Sequence, residues 1–232
     1  MVSGNELKPS YGSANSQSVK SESAFPVVIS NFMACASDPG GCFLNNGGSY
    51  VALVGGGSSK GSLRYRGDVR LGGTWTATNI IEMANPPAGS RKSRLTILKE
   101  GLFDMTAATG TAAFPPGLSV NGSLAIDGVT IVDPVSVSGS GSIVKRGPGA
   151  LVLETGDSRF GGEFRVEGGM IAFGETLATE IESGWTRIFT AKSFSGIDSA
   201  VLGGRSFRIV AASSGLCALE VRPRRGMIFL VK

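Results

Sequence analysis

The feature that most constrains this chain is the even alternation of short strand-like runs with glycine turns over residues 139–174, GSGSIVKRGPGALVLETGDSRFGGEFRVEGGMIAFG. The runs fall at 142–145, 150–154 and 163–173, the last interrupted by Gly168-Gly169. Inside them Leu151 and Leu153 flank Val152, Phe164 and Val166 flank Arg165, and Ile171 and Phe173 flank Ala172. That spacing of two sends alternate side chains to opposite faces of a strand. Strand, turn, strand, turn, with a circuit completed in roughly 20–30 residues, is the pattern of a stacked solenoid coil.

Composition agrees with a chain that turns often. Glycine supplies 35 of 232 residues, about twice the usual ~7%, yet no Gly-x-y period makes it collagen-like, and 41% apolar residues are too many for a disordered tract. Charged residues are only 17%, so Ser, Thr, Asn and Gly make up the polar surface. The net charge of +4 raises a nucleic-acid reading. The cations are scattered, however, apart from Arg91-Lys92-Ser93-Arg94 and Arg222-Pro223-Arg224-Arg225, and neither cluster has an aromatic neighbour in sequence on which a base would stack. The clusters read as solvated turns, with polyanions such as acidic glycans or a membrane surface as the partners they would suit.

The same stretch resembles the autotransporter-associated β-strand repeat. That repeat runs from a lysine or arginine through Gly-x-Gly-x-Leu-x-Leu, a polar loop, an aromatic followed by Gly-Gly, a strand, and a second Gly-Gly. The matching positions are Lys145, Gly147, Gly149, Leu151, Leu153, Phe160, Gly161, Gly162, Gly168 and Gly169, and they cover about one seventh of the chain. The resemblance implies a right-handed parallel β-helix belonging to a very large exported bacterial surface protein. It also implies a part in secretion and folding, and it carries over no catalytic residue.

Outside the repeat, residues 1–23 are polar and aperiodic and read as a flexible lead-in. Residues 24–36 are apolar and end in Ala34-Cys35-Ala36, a small-x-small triplet like a signal-peptidase site, but Pro26 and Asn31 interrupt the run and no basic segment precedes it. A buried first strand or coil-capping segment is the better reading. Short strands follow at 50–54, 62–71, 74–83, 94–99, 118–120, 123–126, 129–132 and 135–137, separated by glycine and proline turns. Helical periodicity is faint, at 101–113 only. Asn121-Gly122 and Asp127-Gly128 are the dipeptides of two-residue hairpins, so a β-sandwich stands as the alternative architecture. From 185 on, strands at 185–191, 206–211, 217–222 and 227–231 predict a C-terminal cap, with the last two forming an antiparallel hairpin that covers the solenoid end. The organisation expected is a lead-in at 1–23, a β-solenoid at 24–184 with its repeat at 142–174, and a cap at 185–232. No run of 18 apolar residues is present to span a bilayer as a helix.

Chemistry-bearing residues are sparse. The chain has no histidine, which removes Ser-His-Asp and Cys-His catalysis and the common imidazole metal sites. Glu180 and Glu182, on a strand, would share a face about 7 Å apart; with Glu163 and Glu167 they are the nearest carboxylate pairs, and a solvated face is their default reading. Asp68 and Asp127 occur singly, without the clustering a calcium site needs. Arg66-Gly67-Asp68 lies inside a strand-like run, and the 55–61 glycine-lysine stretch lacks the order of a phosphate-binding loop. Cys35 and Cys42 flank a turn-rich loop short enough to bridge in an oxidising compartment, and Cys217 reads as a buried small apolar residue. The reading reached is an all-β, right-handed parallel β-helix with an antiparallel cap. It would be a non-catalytic structural or adhesive segment of an exported bacterial surface protein, at the cell surface or outside the cell, needing no cofactor and meeting glycans or other proteins rather than nucleic acid. The alternatives are a carbohydrate-active β-helix, either polysaccharide lyase or glycoside hydrolase, and a carbohydrate-binding module.

Overall fold

The computed structural model describes residues 8–12, 16–21, 27–29, 34–36, 42–46, 50–59, 61–82, 93–112, 114–115, 117–131, 136–154, 156 and 158–223. The chain winds as a parallel β-solenoid with three sides. One side is a continuous eight-stranded parallel sheet, running from Ala34–Ala36 through Gly57–Ser59, Thr74–Thr76, Leu102–Met105, Ser123–Ile126, Ser142–Lys145 and Glu163–Val166 to Ser193–Ser195. Leu102 pairs with Ser123, Ser123 with Ser142, and Ser142 with Glu163, steps of 21, 19 and 21 residues per winding.

A second side holds Val27–Ile29, Val51–Leu53, Asp68–Leu71, Arg94–Ile97 and Leu118–Val120. It is joined through a parallel bridge between Ser119 and Ser138 to Ser136–Val137, Ser158–Phe160 and Thr186–Ala191. The third side comprises two sheets. The first includes Ser16–Ser21, Cys42–Asn46, Leu63–Arg66 and Ile80–Glu82, with Lys8–Gly12 antiparallel at its edge; the second is Gly110–Ala112, Val129–Ile131, Ala150–Leu153 and Met170–Phe173.

Parallel register turns the period-two pattern into columns. Trp75, Phe103, Leu124, Ile143 and Phe164 are consecutive register partners on the eight-stranded side, and all are buried. Leu151 and Ile171 stack likewise on the third side. Each such side chain contributes about 1.5–3 kcal/mol by leaving water. Where Phe164 meets the end of the stack it packs against Phe189 at 4.5 Å and Phe194 at 6.3 Å between ring centroids.

Glycines mark the entry to the eight-stranded side. Gly101, Gly122, Gly141 and Gly162 each stand immediately before one of its strands. The carbonyls of the first three accept from Ser123, Ser142 and Glu163 at 2.8–2.9 Å, and that of Gly162 from Lys192 at 2.9 Å. A Cβ on Gly122 would strike the Gly101 carbonyl, one on Gly141 the Gly122 carbonyl, and one on Gly162 the Gly141 carbonyl. The backbones are close because one corner lies directly on the next.

The expected parallel solenoid with antiparallel strands near the C-terminus is the architecture, and the alternative β-sandwich is not. Asn121-Gly122 and Asp127-Gly128 are corners between sides, not hairpin turns, since the strands they join belong to different sheets. The run at 62–71 is two strands, Leu63–Arg66 and Asp68–Leu71, broken where Gly67 takes φ +79°. The faint helical signal at 101–113 gives strands Leu102–Met105 and Gly110–Ala112, because Phe103 and Met105 alternate into buried columns. A helix that the strand pattern did not anticipate, Glu175–Glu182, turns Leu177 and Ile181 into the core, and positive-φ Gly184 lies just past its end.

At the C-terminal end Thr186–Ala191 is parallel to Ser158–Phe160 on one edge and antiparallel to Cys217–Arg222 on the other; Ser206–Ala211 pairs antiparallel with Cys217–Arg222. Antiparallel capping strands are present, one hairpin earlier than expected, and the strand expected at 227–231 lies outside the described residues.

Candidate functional site

Lys145 ends the strand Ser142–Lys145 and occupies the inward position beside Ile126 and Val166 in register. Its side chain is 0% exposed. A charge there requires partners, and Nζ has four oxygens in reach: Asp127 Oδ1 at 2.7 Å and the carbonyls of Arg146, Gly147 and Gly168 at 2.9, 3.0 and 3.2 Å. Asp127 belongs to the preceding winding and Gly168 to the following one, so one ammonium, with three hydrogens to share, ties three successive corners. Asp127 Oδ1 also accepts from the Gly149 amide at 2.9 Å, and the Asp127 side chain keeps 18% exposure.

The glycine positions of the repeat make room for this. Gly147 has φ +76°, and a Cβ on it would run into the Asp127 carboxylate; Gly169 has φ +72°, and a Cβ there would lie 2.6 Å from Lys145 Nζ. Gly149 sits against Asp127 Oδ1 and Gly128, Gly168 lies over Gly147, and Gly161 faces the Gly139 carbonyl. Leu151, Leu153 and Phe160 are buried in columns, and the Phe160 ring fills the place a Gly162 side chain would take. Every repeat position thus has an architectural account. Asp127, which occurs singly in sequence, is the partner that reading residues in chain order missed; its spacing of 18 from Lys145 is almost one winding.

A second feature lies on the outside of the second side. Two adjoining depressions share Gly117 and Ser138 and form one open furrow. Arg70, Arg94, Thr96, Ser119 and Asn121 line one end, and Arg159, Phe160, Gly161 and Leu216 the other. At its rim the Arg70 guanidinium lies 3.6 Å from the Tyr50 ring centroid and 3.4 Å from Asp68 Oδ1. Arg94 comes from one of the basic clusters noted in the sequence. Arg222, from the other, stacks on Trp185 at 4.7 Å, with Arg208 over the same ring at 4.3 Å. The aromatic partner missing in sequence is thus Trp185, which stands just before the strand Thr186–Ala191 and more than thirty residues ahead of Arg222.

The remaining candidates are dispersed. Glu180 and Glu182 are on the helix Glu175–Glu182, where residues two apart do not face each other, so they do not form the strand-face pair expected of them. Glu163 accepts from Ser195 Oγ at 2.6 Å, while Glu167 pairs with Arg146 and Arg165. Gly67 of the Arg66-Gly67-Asp68 triplet is a buried corner, and Gly57 of the 55–61 stretch packs under the Trp75 ring. Cys35 and Cys42 lie on strands of two different sheets; whether they bridge lies outside the described side chains. Cys217 is a free thiol and only half-buried, not the buried residue expected, because it begins its strand at the margin of the cap. Tyr65 is buried with no hydrogen-bond partner for its hydroxyl among the described residues, and burial, aided by Glu82, pushes its pKa up. Among the described residues no helix is long and apolar enough to cross a membrane.

Comparison of the chain with protein-family models, with curated proteins and with solved structures finds no match in any of the three.

Proposed function

We propose that this chain is a structural and adhesive β-solenoid segment of an exported bacterial surface protein, acting at or beyond the cell surface and without catalysis of its own. One observation carries this reading. Lys145, at the lysine slot of the repeat it resembles, spends its charge on backbone carbonyls and Asp127 in the interior and offers no group to a ligand. The glycine slots serve the same corner. A motif whose members all act in stacking supports a scaffold, and the outer sides are then the surfaces that meet glycans or proteins.

A glycan-array measurement on the full chain, run beside a turnover screen on acidic polysaccharides, tests this. Saturable binding with no product release is the expected outcome. Turnover abolished by a single carboxylate substitution would replace the reading with that of a polysaccharide lyase or glycoside hydrolase.

A further inference from the structure

We propose that the furrow on the second side binds a linear polysaccharide carrying uronic acid carboxylates. This rests on the adhesive reading and gives it a site and a ligand class. Arg70 is the register partner of Thr96, Thr96 of Ser119, and Ser119 is bridged to Ser138. These residues form an outward ladder whose rungs are about 4.8 Å apart, close to the length of one sugar ring. A chain laid along the solenoid axis meets a hydroxyl at each step from Thr96 to Ser138.

Charge selects among glycans. Arg94 stands in register with Asp68, one strand from Arg70, and Arg159 lies three strands further along, about 14 Å away. Both are exposed. Asp68 and the Tyr50 ring hold Arg70, whereas Arg159 makes only a long, exposed 3.5 Å hydrogen bond to Ser213 Oγ, so Arg94 and Arg159 are the two cations presented to an anion. A guanidinium's planar fork matches a carboxylate in two parallel hydrogen bonds, and two such forks in the column beside the hydroxyl ladder fit an acidic group recurring along a sugar chain. Neither of the two adjoining depressions is enclosed, so a polymer can enter from the side.

The experiment measures calorimetric affinity of the full chain for polygalacturonate, dextran sulfate, plain dextran and single-stranded DNA, at low and high salt. Polygalacturonate should bind, dextran should not, and added salt should weaken binding. The pair R94S and R159S together should reduce affinity about tenfold or more with the unfolding midpoint held, while K192S, an exposed cation outside the furrow, should leave it unchanged. Glycan binding that survives the double substitution overturns the furrow and leaves the adhesive reading standing. Equal losses in K192S, or tighter binding of dextran sulfate or DNA, reveal a generic polyanion surface and overturn the proposal. No binding to any glycan, here or on the array, removes both.

Discussion

The corner built by Asp127, Lys145 and Gly168 and the cap built by Thr186–Ala191, Ser206–Ala211 and Cys217–Arg222 solve one problem in opposite ways. Each must satisfy polar groups where a winding meets its neighbour. The corner does so inside, with a fully buried ammonium shared among three windings. The cap does so nearer the surface, where Glu220, itself 13% exposed, takes Arg208 at 2.6 Å and Arg187 at 3.7 Å from side chains 48% and 45% exposed, and Arg208 and Arg222 stack on Trp185. An interior winding has a copy of itself above and below, so a buried charge finds carbonyls at repeating positions. Beside Thr186–Ala191 the neighbour is the antiparallel Cys217–Arg222 instead of a parallel winding, and reversal of strand direction plus charge nearer the surface takes the place of stacked corners.

That contrast breaks if the corner proves tolerant. Lys145→Met leaves Asp127 and three carbonyls without their cation, and loss of one member of a buried pair costs roughly 3–5 kcal/mol, nearer the lower figure because Asp127 keeps some water. Urea unfolding followed by circular dichroism reads the loss; a change below about 1 kcal/mol would place the ammonium's contribution with the surface pairs.

A smaller effect sharpens the role of stacked corners. Gly162→Ala drives a Cβ into the Gly141 carbonyl and to 2.8 Å from the Phe160 ring, an overpacking expected to cost about 1–3 kcal/mol. Gly128→Ala, whose Cβ would meet only the Gly149 Cα at 3.7 Å, should change stability little. Equal costs at the two glycines would refute the idea that close stacking of backbones, rather than turn propensity, requires glycine at these corners.

The smallest effect belongs to the cap. Glu220→Gln weakens pairs whose arginines are 45% and 48% exposed, and it should cost less than about 1 kcal/mol, diminishing further with salt. A loss rivalling that of Lys145→Met would erase the distinction between the two regions.

The parallel solenoid was legible because local alternation and winding length are both written along the chain. Ser142–Lys145, Leu118–Val120, Ser123–Ile126, Ser206–Ala211 and Cys217–Arg222 have the bounds that the apolar pattern predicts. Leu177 and Ile181, four apart among charged residues, were the available sign of the helix, but two residues in one short segment stand out weakly against a strand-rich background. The furrow had no such sign. Arg94, Ser119, Ser138 and Arg159 are separated by whole windings and become neighbours only when register is set.

By itself, then, the amino-acid order determined that this chain forms short strands, turns at glycines and repeats about every twenty residues, since those depend on φ/ψ freedom and on which side of a strand each residue takes. Tertiary structure alone decided that Lys145 lies inside rather than on the surface, that Asp127 is its partner, and that two remote arginines line one furrow. Stacking brings residues a full winding apart to within about 5 Å, and a buried charge is tolerable only once those partners are in place.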